Sequence, residues 1–368
     1  MKYIDEYRNP QVARQLIAQV RSLAEKRANP VPVRLMEFCG GHTHAIFRFG
    51  LREMLAGCVD LRSGPGCPVC VTAAGDLDHA IALSQVPDLI LTTFGDMMRV
   101  PGGTGTLQEA RASGSDVRMV YSPLDALTVA RQNPDQPVVF LGVGFETTAP
   151  GVAAALLQAE EENLHNFSVL CLHKLTPPAM RAILNAGEVA LDGIIGPGHV
   201  SAVIGSKAWQ FLPQIYGISC AVSGFEPLDL LYAIHALVKA DLDHIPDVFN
   251  TYGRSVQEEG NLIAQHMIEE VFEVSPAEWR GFGSIPDSGL RIRASLSHRD
   301  AAALFPLDVP VRQEPPGCRC GEVLRGVIEP PECALFQRAC TPRNPVGPCM
   351  VSAEGSCAAY YKYQDVAA

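Results

Sequence analysis

Six of the twelve cysteines of this 368-residue chain fall between residues 317 and 368: Cys318-Arg-Cys320, then Cys333, Cys340, Cys349 and Cys357. Thiolate sulfur is a soft ligand, and a [4Fe-4S] cluster takes four such ligands. A structural zinc site also takes four, but zinc ribbons draw them from paired C-x2-C knuckles. This tail has one C-x-C and otherwise single cysteines separated by six to twelve residues. Ligand type and spacing therefore favour iron–sulfur over zinc. Two thiols remain after either metal is served, and two thiols beside an electron-carrying cluster form a candidate redox pair.

A second group lies nearer the N-terminus. Cys67-Pro-Val-Cys70 is a C-x-x-C that follows Gly64-Pro65-Gly66. Such a pair is an exchangeable dithiol, a metal half-site or two inert cysteines. A thiol at a helix N-terminus has a lowered pKa and can attack a disulfide, and the redox-capable tail tips the reading toward the dithiol. Cys39-Gly-Gly-His42-Thr-His44 offers one thiolate and two imidazoles within six residues. That is an incomplete ligand set for an iron ion, with positions left open. Gly40 and Gly41 permit close backbone approach there.

Two further motifs imitate nucleotide loops and fail. After Gly142-Val-Gly144 the third glycine of G-x-G-x-x-G would fall at Thr147, inside Glu146-Thr147-Thr148. GPGHVSAVIGSK (196–207) has the wrong glycine spacing for a P-loop, and Ala208 follows Lys207. His199 either lines a cleft or is a satisfied core or loop histidine. Cys58, Cys171 and Cys220 sit in or beside apolar runs and read as small packing residues. Trp209 and Trp279 read as packing too.

These residues need a frame. Apolar side chains at Val12, Leu16, Ile17, Val20 and Leu23 predict an amphipathic helix over 10–27. From residue 33 short apolar runs alternate with helical stretches. Strands are expected at 33–38, 59–63, 88–94, 116–121, 137–144, 167–173, 192–196 and 216–222, with helices at 76–84, 149–163 and 227–239 among the segments between. This alternation predicts an α/β fold with two similar doubly wound, largely parallel-sheet domains plus a C-terminal iron–sulfur domain. The expected units are 1–136, 137–253 and 254–368, with NPDQP (133–137) as the first junction and a long helix over 254–273. CGGHTH, GPGCPVC, GFETTAP and GPGHVS each follow a strand, where open parallel sheets bind ligands, so one shared cleft is expected.

Composition narrows the function. Net charge is −11 with no run of Lys or Arg, a poor match to nucleic acid, whose phosphates demand cations. The charged start MKYIDEYRNP lacks the apolar core of a secretory signal, and no apolar run approaches the ~20 residues of a membrane span. A cytoplasmic protein is expected, and cysteines in that compartment serve metals or redox chemistry.

Together, CGGHTH, GPGCPVC, GFETTAP, GPGHVS and the tail CRCGEVLRG…PPEC…CTPRNPVGPCMVSAEGSCAAYYKY resemble the HypD family of [NiFe]-hydrogenase maturation factors, from about Met36 to Tyr363. All five motifs occur in order without departure. The resemblance implies two similar α/β domains and a third with a [4Fe-4S] cluster. It also implies a complex with a HypC-type chaperone and a HypE-type cyanide donor, in which the Fe(CN)2CO group is assembled. Carried over by position, it makes Cys39 an iron-binding thiolate shared with a cysteine of the chaperone, with His42 beside it, and Cys67 and Cys70 the exchangeable dithiol. It likens the tail to ferredoxin–thioredoxin reductase, with Cys318, Cys333, Cys340 and Cys357 as cluster ligands and Cys320 and Cys349 as the redox pair. The chain is thus read as an assembly scaffold with redox activity. Competing readings are a free-standing iron–sulfur thiol–disulfide reductase and a zinc-stabilised binding module. Metal analysis of anaerobically purified protein is expected to return iron and sulfide in near-equal amounts, whereas zinc in their place selects the binding module.

Overall fold

The computed structural model describes residues 4–28, 31–309 and 314–363. The first helix runs Pro10–Glu25, started by Asn9, whose side chain accepts the Gln11 amide at 2.9 Å. All eight expected strands form: β1 (Val33–Glu37), β2 (Val59–Ser63), β3 (Ile90–Thr93), β4 (Asp116–Met119), β5 (Val138–Gly142), β6 (Phe167–Cys171), β7 (Gly193–Pro197) and β8 (Ser219–Ser223). Strands β3, β5, β7 and β8 are buried along their whole length. Helices on both faces cover them, which is why they read as unbroken apolar runs.

The strands divide between two parallel sheets in a way that differs from the expected split. One sheet has the order β2-β1-β7-β8-β9, where β9 is the short strand Val248–Asn250; the other has the order β4-β3-β5-β6. The expected boundary at residue 136 therefore cuts through the second sheet, since β3 and β5 pair directly across it, Ile90 opposite Val138. The chain leaves the first sheet after β2, builds the second, and returns to lay β7 beside β1, Leu35 opposite Gly193. Strand periodicity marks each strand but carries no information on its neighbour.

The expected unit 254–368 also divides, and residues 310–313 and 364–368 of it lie outside the described residues. The predicted helix 254–273 is helical only over Leu262–Val271. Gly260 stops it on the N-terminal side: its φ is +75°, and a Cβ there would lie 2.3 Å from the Val203 carbonyl oxygen. Beyond the helix comes an antiparallel hairpin of β10 (Phe272–Trp279) and β11 (Gly283–Ile292). A bulge between Ser275 and Ala277, where Pro276 falls, breaks the alternation that would have announced it. The helix packs on Ala149–Glu161 of the second sheet and the hairpin strand β11 on Thr176–Ala186, whose buried face joins the first sheet's core, while the tail's last helix, Ser356–Tyr363, packs on Gly40–Arg48 beside the first sheet. Among the described residues no helix is long and apolar enough to cross a membrane.

In both all-parallel sheets the order in which strands are added reverses at one point, and ligands of open α/β sheets bind at such switch points. In the first sheet the switch lies between β1 and β7, whose carboxyl ends feed CGGHTH and GPGHVS. In the second it lies between β3 and β5, and β5 feeds GFETT.

Buried Arg299 fastens the segment after the hairpin to the second sheet. Its guanidinium donates to the carbonyls of Leu164, Phe167 (3.0 Å) and Ala159 (3.2 Å) and pairs with Glu160. Arg299→Met should strand these acceptors and cost about 3 kcal/mol, read as a lower urea midpoint.

Candidate functional site

Cys39 ends β1 in extended conformation and caps the helix Gly40–Arg48. The loop after β2 lies directly on it: the Gly40 amide donates to the Gly66 carbonyl at 3.0 Å and the Gly64 amide to the Glu37 carbonyl at 2.8 Å. A Cβ on Gly66 would stand 2.2 Å from the Cys39 nitrogen, and one on Gly40 would stand 2.4 Å from the Glu354 carbonyl oxygen. Only glycine allows the CGG and GPG loops to touch backbone to backbone, with the tail closing over both.

Cys39 keeps a partly exposed surface. Burial, then the carboxylates of Glu354 and Glu37, push its thiol up to about 12, against amide donors from Gly41 and His42. The thiol thus rests protonated. His42 is fully buried. Its Nε2–H donates to the Ser223 carbonyl at 3.2 Å, its Nδ1 has no hydrogen-bond partner among the described residues, and burial lowers its pKa to about 4. It is a neutral imidazole with a free lone pair on Nδ1. Its ring lies 4.8 Å from Phe225, on which the exposed His199 stacks at 4.0 Å. His199 therefore joins the mouth of this site. His44 faces the cavity shared by Gly41, Phe225 and Glu354, and its Nε2 pairs with the Tyr363 hydroxyl at 3.0 Å.

Cys67 and Cys70 are joined as a disulfide across the short turn of helix Pro68–Val71. That turn packs on Pro348–Met350, and the Cys70 sulfur lies 3.9 Å from the Pro348 carbonyl oxygen, one residue before Cys349. Cys67, Cys70, Cys320 and Cys349 belong to one buried cluster, with Cys318 and Cys357 packed against it. The site thus brings the dithiol to the tail.

All six tail cysteines line one cavity, together with Arg319, Val323, Leu335, Phe336, Gly347 and Met350. Bonding to Cys320 raises Cys318, bonding to Cys320 and Cys357 raises Cys349, and Cys320 is lowered as it receives from Cys318 and Cys349. Burial raises Cys340, with Cys357 and Cys333 adding to it. A lining of sulfur and apolar groups without carboxylate or imidazole fits an iron–sulfur centre in donor type. Among the described residues no three His, Cys, Asp or Glu side chains converge closely enough to hold a metal ion as they stand. Ligation would require these thiols to lose their protons and draw inward.

Glu146 of the GFETT loop turns to Thr176, accepting its amide at 2.8 Å and its hydroxyl at 3.1 Å, and burial raises it to about 7. Its neighbour Phe145 stacks on Trp279 at 6.0 Å, and Trp279 bridges to Thr72 beside the dithiol. Cys58 and Cys171 donate to the Leu55 and Leu290 carbonyls, and Cys220 lies in the core, as packing residues do. Sequence reading passed over Glu37, Glu354, Phe225 and Arg280. Glu37 carried a signal, as a carboxylate that follows the apolar pair Leu35-Met36 at the end of a strand, two residues before Cys39.

Comparison with known proteins shows the chain's family. The family model HypD, described as hydrogenase formation hypA family, matches residues 11–364. The chain is 46% identical over 371 residues to hydrogenase maturation factor HypD2 of Bradyrhizobium diazoefficiens, covering 99% of this chain and 97% of that protein. It is 49% identical over 370 residues to hydrogenase maturation factor HypD of Azotobacter vinelandii, covering 99% and 97%. Against the HypD of Escherichia coli it is 44% identical over 367 residues, covering 99% and 98%.

Buried Glu37 gives the site a pH signature. Desolvation raises it from 4.5 to about 8, against donors from Thr43, Cys39 and Ser63. The folded chain holds this proton while the unfolded chain releases it. The stability it contributes is therefore fully present below pH 4.5 and lost as pH rises through about 8. Glu37→Gln, which mimics the protonated carboxyl, should flatten that loss and leave the variant more stable than the parent at pH 9, measured by urea midpoints across the range.

Proposed function

The chain belongs to the HypD family of hydrogenase maturation factors, and from that premise we propose that it is a redox-active scaffold. On it, with a HypC-type chaperone and a HypE-type cyanide donor, the Fe(CN)2CO group is assembled. One observation carries this reading: the Gly66 contact sets the Cys67–Cys70 loop on Cys39, while Cys70 sits against the residue before Cys349.

The iron is cargo, and Cys39 is the thiolate that receives it. The Gly41 and His42 amides aim at its sulfur and favour the thiolate once iron displaces the proton. Neutral His42 lies beside it with Nδ1 unengaged. Thiolate-bound iron is electron-rich, which suits it to cyanide and CO.

The dithiol works by internal exchange. A thiolate of the Cys320/Cys349 pair attacks the Cys67–Cys70 disulfide, one of those sulfurs leaves as thiolate, and the second tail thiolate resolves the mixed disulfide. One S–S bond breaks and one forms; two electrons pass from the tail pair to Cys67 and Cys70, which take up two protons. When a [4Fe-4S] cluster is bound, Cys318, Cys333, Cys340 and Cys357 would hold it, and it would supply single electrons there. Cys67 and Cys70 are 3% and 0% exposed. An external protein disulfide cannot reach them, which favours the scaffold over a free-standing reductase.

Cys39→Ala, co-purified with the chaperone under exclusion of oxygen, should lose the infrared bands of bound CO and cyanide while its iron–sulfur absorption is unchanged. Diatomic bands that persist in this variant would place the cargo on another residue.

A further inference from the structure

The tip of the β10–β11 hairpin touches both the helix of Cys67 and Cys70 and the helix that begins at Cys320, though no sulfur lies in it. Trp279 forms a bridge with Thr72, and the Arg280 amide donates to the Val71 carbonyl at 2.9 Å. The Arg280 side chain turns the same way: its Nε donates to the Thr72 carbonyl at 2.8 Å. Both carbonyls end the helix that carries Cys67 and Cys70. The next residue, Gly281, lies on the helix that begins at Cys320; a Cβ on Gly321 would stand 2.7 Å from the Gly281 Cα, and Arg325 donates to the Gly281 carbonyl.

Arg280 is 2% exposed, and its remaining partners are Glu314 and, at 3.4 Å, the Pro101 carbonyl. A guanidinium buried this deeply is costly and is held only by a full set of acceptors. Here the set joins three distant stretches of chain: Thr72, Pro101 and Glu314. The planar fork fixes their mutual position, whereas a single ammonium would satisfy one at a time.

We infer that Arg280 is a positioning residue for thiol–disulfide exchange, seating the Cys67–Cys70 helix in register with the Cys320/Cys349 thiols through the hairpin tip. The inference rests on the internal exchange proposed above. In-line attack on a disulfide tolerates little displacement, and a shift near 1 Å can slow an oriented reaction about a hundredfold.

The test uses the full chain, purified anaerobically and fully reduced, then given one equivalent of diamide. Acid quenching, alkylation with iodoacetamide and peptide mass analysis follow the disulfide as it redistributes between Cys67–Cys70 and Cys320–Cys349. In Arg280→Met this relaxation should slow about a hundredfold, while dithiothreitol reduces the Cys67–Cys70 disulfide as fast as in the parent or faster. Arg280→Lys should not restore the rate; full restoration would show that charge alone suffices and overturn the positioning role. Should Arg280→Met fail to fold, Gly321→Ala displaces the same seat with Arg280 intact and should also slow relaxation. Parent-like relaxation in the folded variant tested overturns the role of the hairpin tip. No redistribution in the parent itself defeats the exchange reading and this inference with it.

Discussion

The site depends on one backbone contact, that of Gly66 on Cys39. Two loops leaving adjacent parallel strands approach until a Cβ would stand 2.2 Å from a main-chain nitrogen. At that distance the strands' register, Glu37 opposite Ser63, is transmitted directly to the cysteines that follow. The separation of Cys39 from the Cys67–Cys70 loop is thus set by rigid sheet geometry, as an oriented reaction requires. The tail completes the arrangement from above, with Glu354 against Gly40 and Pro348 against Cys70.

Desolvation governs the chemistry inside this frame. Glu37 and Glu146 are raised, His42 is lowered, and the Cys39 thiol is raised because charge is poorly supported there. At rest the site is close to neutral. On the scaffold reading proposed above, a cation bound at Cys39 would invert these preferences by stabilising thiolate, and its arrival would be coupled to proton release. In the tail, bonding among the thiols outweighs burial: Cys318 and Cys349 are raised, and Cys320, which receives from both, is lowered.

The hairpin shows how far local pattern reaches. Its strand β10 is buried only at its ends, Phe272 and Trp279, with half-buried and exposed residues alternating between them; Pro276 and the bulge disturb the signal, and the preceding helical residues extend the apparent helix into it. Trp279 was legible as a core residue and is one. That it presses on Thr72 and stacks on Phe145 depends on residues more than 100 positions away, which no window of sequence contains. Arg280 reads as an ordinary surface arginine until its acceptors come together in space.

Sequence alone determined what each part is. The tail is a thiol cluster because six cysteines fall there, the eight strands are strands because β-prone runs alternate with helical ones, and the motifs lie at strand ends because each follows such a run. These properties are local, set by side-chain type and period. Tertiary structure decided the company each part keeps. Pairing β1 with β7 across more than 150 residues split the sheets differently from the chain order, and packing of the tail on the Pro68–Val71 turn brought Cys70 to the residue before Cys349. Strand pairing and loop packing are settled by burial shared among distant segments, and a linear pattern does not record which segments share it.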